Sequence, residues 1–135
     1  DLTSGKLARY NFITPNLCND MHGAVSCLLG NLNLVQAGDA WLSHNLPTIL
    51  NSTTFHQGGL LLVVWDEGDE ALGQAASDGP VPFVAMGDMV KPGYVSDVSF
   101  THSSTLRTVE EIFDLPLLRD AANANDMSDM FLQFP

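Results

Sequence analysis

The chain has 135 residues, of which 45% are hydrophobic and 16% charged, and these proportions exclude an intrinsically disordered segment. Five basic residues face sixteen acidic ones, which gives a formal net charge of −11. This balance excludes a protein that binds nucleic acid through the phosphate backbone, because such binding needs clustered Lys and Arg.

The first predicted element is a strand over residues 6–13, whose aromatic and β-branched side chains suit a sheet, and Pro15 ends it because proline lacks the amide a ladder needs. Residues 16–34 are predicted as a long loop. The loop contains Cys18 and Cys27, which form either a local disulfide in an exported protein or two buried free thiols. The sequence leaves both readings open.

The middle of the chain predicts a helix and two strands. Apolar residues recur at helical spacing over residues 38–50, where Pro47 predicts a kink or an early break. Residues 60–65 are a continuous apolar run, typical of a strand buried on both faces and far too short to span a bilayer. Residues 66–79 form an acidic loop, and residues 81–86 a second short strand.

The last predicted element is a helix that begins near His102, with capping hydroxyls at its start and an apolar stripe along one face. The stripe consists of Leu106, Val109, Ile112 and Phe113. Alternating strands and helices indicate an α/β class, with a parallel sheet covered by helices on both faces. Ligand sites of that class lie beyond the carboxyl ends of strands, here at residues 16–22, 66–67 and 100–104.

Asp66 and Glu67 follow the most apolar strand. Two adjacent carboxylates at a strand end repel each other and resist desolvation, and a divalent cation reconciles them because hard cations prefer carboxylate oxygen. The alternative is a solvated acidic loop.

The segment from Asn16 to His22 brings amides, a carboxylate and an imidazole into one loop. Asp20 and His22 form an Asp-x-His pattern that suits a metal centre, a phosphate site or an acid/base pair, and otherwise represents ordinary polar surface. Asn16 and Asn19 are the candidate substrate-binding amides of this loop.

His102 lies where a helix begins, and the positive end of the helix dipole favours a neutral imidazole beside an anion. The alternative is a histidine that packs or caps locally. Ser103 and Ser104 are interpreted as capping residues rather than nucleophiles, because no Gly-x-Ser-x-Gly elbow is present. His44 and His56 are interpreted as structural or exposed.

These segments together resemble the bacterial and fungal phosphoesterase family, which holds acid phosphatases and esterases directed at phosphatidylcholine or phosphatidylinositol. Residues 11–22 are similar to its Pro-Asn-x-Cys-x-Asp-x-His segment, residues 38–42 to its Gly-Asp-x-Trp-Leu helix start, and residues 62–67 to its Trp-Asp-Glu strand end. Further matches follow in the family's order, at Val81-Pro82-Phe83, Lys91-Pro92-Gly93 and His102 to Glu110.

The resemblance implies an alkaline-phosphatase-like fold, a three-layer α/β/α sandwich, and hydrolysis of a small-molecule or lipid phosphate ester. By that analogy Asp66 and Glu67 hold a divalent metal ion, His102 is the active-site histidine, and Asp20 with His22 lines the same cleft. Some members place a second histidine after the carboxylate pair, whereas residues 68–79 contain none, so a metal-independent reaction stays open.

Family members also carry an amino-terminal stretch that supplies the nucleophile, and nothing in residues 1–135 corresponds to it. The chain is therefore expected to be the carboxy-terminal part of a single phosphoesterase domain, with the missing half of that domain as its partner. The activity expected is that of an acid phosphatase-like phosphomonoesterase, with a phospholipase C-type phosphodiesterase or a non-catalytic fragment as alternatives. An extracytoplasmic or secreted location follows from the same resemblance.

Overall fold

The computed structural model describes residues 2–28, 33–68 and 80–134, and the chain divides into two compact units, Asp1–Gly59 and Leu60–Pro135. The first unit contains helices, and the second a two-stranded sheet and a helix. The predicted mixed α/β class is confirmed. The three-layer sandwich and the alkaline-phosphatase-like topology stay predictions.

The first unit is built around one long helix. α1 spans Val25–Leu28 and α2 spans Leu34–Leu50, and short 3₁₀ helices cover Leu2–Ser4 and Phe55–Gln57. Asn33 caps α2 because its side-chain oxygen accepts a hydrogen bond from the Gln36 amide at 3.1 Å. Within the described ranges, no helix has the length and apolar character required to cross a bilayer.

The helix α2 confirms the apolar spacing read from the sequence. Half-buried side chains recur in pairs one turn apart, at residues 41–42, 45–46 and 49–50, while residues 39–40, 43–44 and 47–48 are exposed. The helix starts four positions before the predicted residue 38 and continues through Pro47 to Leu50, so the predicted early break is wrong. Pro47 lies in the last turn, where few backbone hydrogen bonds follow it.

Two predictions for the first unit are wrong. Residues 6–13 form no strand, because β propensity needs a neighbouring strand to supply backbone partners, and among the described residues β1 and β2 pair with each other alone. Residues 16–34 are not a continuous loop, since α1 lies inside this range and α2 begins at its end. Residues 29–32 of that loop lie outside the described part of the chain.

The second unit holds β1, Leu61–Val64, paired with β2, Phe83–Met86. The strands run antiparallel, with Leu61 opposite Met86 and Val64 opposite Phe83, so the expected parallel arrangement is wrong for this pair. Burial on both faces is also wrong, since Val64 is 38% exposed and Val84 is 49% exposed. An antiparallel pair can bury one face and leave the other open, which a continuous apolar run does not reveal. Residues 69–79 of the predicted acidic loop lie outside the described ranges.

The helix α3, His102–Ile112, begins where the sequence predicts, but its most buried side chains are polar ones outside the predicted apolar stripe. Leu106 of the predicted apolar stripe is 44% exposed, whereas the polar residues Ser104, Thr108 and Glu110 are at most 3% exposed. Two 3₁₀ helices follow, Arg119–Asn123 and Ser128–Met130. Among the described residues of the second unit, the buried apolar side chains all come from this later part of the chain: Ala121, Met127 and Phe131.

Candidate functional site

His102 is the first residue of α3, and its position depends on the cap before it. Thr101 is the N-cap residue in extended conformation, and its amide donates to Ser104 Oγ at 3.1 Å while the Ser104 amide donates to the Thr101 carbonyl at 2.9 Å. Ser104 is 1% exposed and is used by this capping box. Its interpretation as a cap rather than a nucleophile agrees with this geometry.

The imidazole of His102 reaches the end of β1. Its Nε2 lies 2.6 Å from the backbone oxygen of Asp66, 36 positions earlier in the chain. A carbonyl oxygen only accepts hydrogen bonds, so Nε2 must carry the proton. Nδ1 is then the nitrogen that accepts a proton or hydrogen bond in the neutral ring, and donates in the charged ring. The sequence predicted three ligand sites beyond strand ends, and two of them, residues 66–67 and 100–104, are therefore in contact within the second unit.

Asp66 and Glu67 are both exposed, and Asp66 Oδ1 accepts a hydrogen bond from the Glu67 amide at 3.1 Å. Because water reaches both carboxylates, the desolvation conflict from which the sequence argument started does not arise in this structure. Their oxygens have the hard-donor character that Mg²⁺ or Ca²⁺ prefers. The described residues contain no group of three or more His, Cys, Asp or Glu side chains arranged to hold a metal ion.

In the first unit, the predicted segment folds into two consecutive turns closed by its own side chains. Asn16 Oδ1 accepts from the Cys18 amide at 3.0 Å and from Asn19 Nδ2 at 2.9 Å. Asp20 Oδ1 accepts from the His22 amide at 2.9 Å. These are the local bonds that Asn and Asp make in tight turns. Asn16 and Asp20 therefore shape the loop, and their predicted roles toward substrate stay predictions, as do those of Asn19 and His22.

A disulfide closes the same segment. Cys18 and Cys27 are bonded with their Cα atoms 5.5 Å apart, and Cys27 is 4% exposed. A cavity of about 550 Å³ lies against the bridge. Its lining consists of Thr14, Pro15, Asn16, Leu17, Cys18, Asp20, Ala24 and Ser26. The predicted loop thus borders a shallow depression that is open to solvent.

Two glycines let the segment lie against α2. A Cβ on Gly38 would stand 2.5 Å from Met21 Cγ, closer than any real contact, so the backbone of α2 approaches the loop at that point. Gly23 has a φ of +93° and would also place a Cβ against the side chain of Leu34. Gly38 opens the Gly-Asp-x-Trp-Leu match, and close packing explains why a glycine suits that position.

Sequence reasoning missed a buried carboxylate on α3. Glu110 is 3% exposed, its Oε2 accepts from the Leu118 amide at 3.2 Å, and its Oε1 is buried with no hydrogen-bond partner among the described residues. Helical periodicity gives no signal for it, because Glu110 lies two positions after Thr108 and so on a different side of the helix from Ser104 and Thr108.

Comparison with known proteins gives a family match and several relatives. The Phosphoesterase family model matches residues 1–116, which confirms the resemblance read from the motifs. A phosphatidylinositol-3-phosphatase from Mycobacterium tuberculosis is 32% identical over 125 residues, covering 93% of this chain and 36% of that protein. A probable acid phosphatase from Kluyveromyces lactis is 30% identical over 129 residues, covering 93% of this chain and 28% of that protein.

A phosphate-repressible acid phosphatase from Penicillium chrysogenum is 28% identical over 120 residues, which cover 87% of this chain and 26% of that protein. The chain therefore spans between about a quarter and just over a third of the length of these relatives. No solved structure matches the chain.

Proposed function

Because the chain belongs to the Phosphoesterase family, we propose that it forms part of a hydrolase of phosphate esters, with the activity of an acid phosphatase-like phosphomonoesterase. The relatives named acid phosphatase support the reaction. The relative named phosphatidylinositol-3-phosphatase supports a lipid phosphate monoester as one substrate class. The single structural observation that carries the proposal is the contact between His102 and the Asp66 backbone, which holds an imidazole at the end of β1.

In this proposal His102 acts on the phosphoryl group. The bond from Nε2 to the Asp66 carbonyl fixes the ring and leaves Nδ1 to exchange a proton with substrate. The start of α3 carries the positive end of the helix dipole, which favours a phosphate anion beside His102. A local positive field is needed, because the chain as a whole carries a net charge of −11 and repels anionic substrates at long range.

We further propose that Asp66 and Glu67 supply two oxygen ligands to a divalent cation. A bound cation would polarise the phosphoryl oxygens and offset the acidic surroundings. The hard-donor character of both carboxylates, and their place at the end of β1 where His102 Nε2 meets the Asp66 carbonyl, support this assignment. The remaining ligands would come from outside the described residues, and so would the nucleophile, which the resemblance assigns to another part of the family domain. For the loop of the first unit, Asp20 and His22 are proposed as catalytic residues and Asn16 and Asn19 as substrate-binding amides.

An oxidising compartment outside the cytoplasm is proposed as the place of action. The bond between Cys18 and Cys27 supports it, because disulfides persist mainly in exported proteins.

The experiment uses the full-length protein with His102→Gln, Asp66→Asn and the control His56→Gln, which changes an exposed histidine on a 3₁₀ helix. We expect His102→Gln to lose at least ~10²-fold in kcat on a phosphomonoester, a typical loss for a proton-transfer group, at unchanged melting temperature. Asp66→Asn should also lower kcat, because it removes a carboxylate ligand of the proposed cation. His56→Gln should match wild type. Wild-type turnover in a folded His102→Gln variant would overturn the assignment.

A second arm compares substrates and metals. Wild-type enzyme is assayed on a phosphomonoester, on a phosphatidylinositol phosphate and on a phosphocholine diester, before and after dialysis against a chelator. Monoester hydrolysis that falls on chelation and returns with Mg²⁺ or Ca²⁺ supports the proposal. Preference for the diester would replace it with a phospholipase C-type activity, and hydrolysis unaffected by chelation would remove the metal assignment.

A further inference from the structure

One aspartate connects the loop before α3 to the C-terminal segment, defined here as residues 118–134. Asp129 Oδ2 accepts hydrogen bonds from Tyr94 Oη, at 3.0 Å, and from Ser96 Oγ. The Asp129 carbonyl accepts one from Lys91 Nζ at 2.8 Å, and the same ammonium stands 5.1 Å from the centroid of the Tyr94 ring. The bond to Asp129 raises the pKa of Tyr94 above its ordinary value. Three side chains of the loop thus converge on one residue.

Backbone pairing joins the same two stretches. Val90 and Phe131 form an isolated antiparallel bridge. Two N–H···O bonds flank it, from Lys91 to Met130 at 2.8 Å and from Leu132 to Met89 at 2.7 Å. The loop and the C-terminal segment therefore form one hydrogen-bonded unit, and Asp129 supplies its side-chain contacts.

The C-terminal segment also makes hydrogen bonds to the chain before and after His102. The Met127 amide donates to Thr108 Oγ1 at 3.0 Å, and Thr108 has no exposed surface. Asn125 Nδ2 donates to the Ser99 carbonyl at 3.2 Å. His102 lies between Ser99 and Thr108 in the chain, so the same segment fixes the backbone on both sides of it.

From these contacts we propose that Asp129 is a positioning residue for His102, an inference that rests on the proposed function. Asp129 sets the path of residues 91–99 and hence the point where α3 begins. Since His102 is the first residue of α3, that point determines whether its Nε2 reaches the Asp66 carbonyl. A displacement of about 1 Å at a reacting group costs up to ~10²-fold in rate. The family match ends at residue 116, so this role lies outside the part of the chain that it covers.

The test compares Asp129→Ala, Asp129→Asn and the control Asp120→Ala in the full-length enzyme. Asp120 is an exposed carboxylate on the 3₁₀ helix of the same segment, so its removal changes the charge equally. At a temperature where all variants are folded, we expect Asp129→Ala to lower kcat by ~10- to 100-fold with KM little changed. Asn keeps an acceptor oxygen for Tyr94 and Ser96, so Asp129→Asn should recover much of the loss.

A second measurement follows His102 directly. The imidazole Nε2–H signal and ring ¹⁵N shifts, assigned by comparison with His102→Gln, report the bond to Asp66. We expect them to move in Asp129→Ala, to return toward wild type in Asp129→Asn, and to stay unchanged in Asp120→Ala. A kcat loss in Asp129→Ala with unmoved His102 signals would overturn the positioning role, as would signals and kcat both equal to wild type. If wild type hydrolyses no phosphate ester, the proposed function fails, while the His102 signals still decide whether Asp129 positions the ring.

Discussion

The two units hold their candidate residues by different means. Residues 1–59 carry two basic and three acidic residues, a net charge of −1, whereas residues 60–135 carry three basic and thirteen acidic residues, a net charge of −10. In the first unit, the segment from Asn16 to His22 is fixed by a disulfide between cysteines nine positions apart and by hydrogen bonds between near neighbours in the chain. In the second, His102 and its surroundings are fixed by bonds between residues 19 to 38 positions apart.

The contrast shows where each unit's stability is concentrated. A short covalent loop stabilises by restricting the unfolded chain and needs little core around it. In the second unit the hydrogen bonds of Thr108 are buried, and a buried bond depends on both partners being present, because an unpaired buried group costs more than a made bond contributes. If the two units are stabilised independently, a change that destabilises one unit should leave the other unit's stability unchanged.

The largest expected effect is loss of the disulfide. Replacing Cys18 and Cys27 together with Ser should lower the free energy of unfolding by ~2 to 4 kcal/mol, since the bridge restricts the unfolded chain. Thermal unfolding with and without reductant measures the loss, and the Ser variant should not respond to reductant. Amide exchange should show lost protection in α2 and retained protection in α3. Equal loss of amide protection in α2 and α3 would contradict independent stabilisation of the two units.

The next largest effect concerns Thr108, whose Oγ1 donates to the Ser104 carbonyl at 2.8 Å and accepts from the Met127 amide at 3.0 Å. Thr108→Val keeps the shape but leaves that amide without its partner in a buried place, which should cost ~1 to 3 kcal/mol in urea unfolding. Thr105→Val, at a half-buried position on the same helix, makes the matched control and should cost less. If the loss of unfolding free energy in Thr108→Val disappeared when the disulfide was reduced, the stabilities of the two units would be coupled.

Local features of both units could be predicted from the sequence far better than contacts between residues that are distant in the chain. The apolar spacing of α2 and the start of α3 at His102 are local patterns, and local patterns are visible without a structure. The strand over residues 6–13 was wrong because a strand depends on partners that its own residues do not specify. The Asp129 and Thr108 contacts could not be predicted, because each joins positions whose proximity only the fold decides.

A smaller effect is expected at Asn16, whose Oδ1 closes the turn at Cys18. Asn16→Ala should cost about 0.5 to 1.5 kcal/mol, the range for an ordinary hydrogen bond, because the site is exposed to water. Asn11→Ala removes one exposed bond to the Ala8 carbonyl and serves as the control. A double-mutant cycle with the Cys pair should show coupling, since both act on the same turn. Strict additivity would mean that the bridge and the turn stabilise the loop independently.

The smallest effect is a pH dependence in the second unit. Hydrogen bonds from Ser128, and to a smaller extent the charge of Arg107, lower the pKa of Asp126 below its ordinary value. A carboxyl with a lowered folded pKa stabilises the fold above its unfolded pKa, and that contribution is lost as the pH falls through the folded value. Ser128→Ala should therefore reduce stability at about pH 6, and the cost should be smaller at about pH 2, below the unfolded pKa of the carboxyl. Urea unfolding at the two pH values measures this, with Asp126→Asn as the reference in which Ser128→Ala should show no pH dependence. If Ser128→Ala lowered the free energy of unfolding equally at both pH values, the charge of Asp126 would not contribute to the stability of this unit.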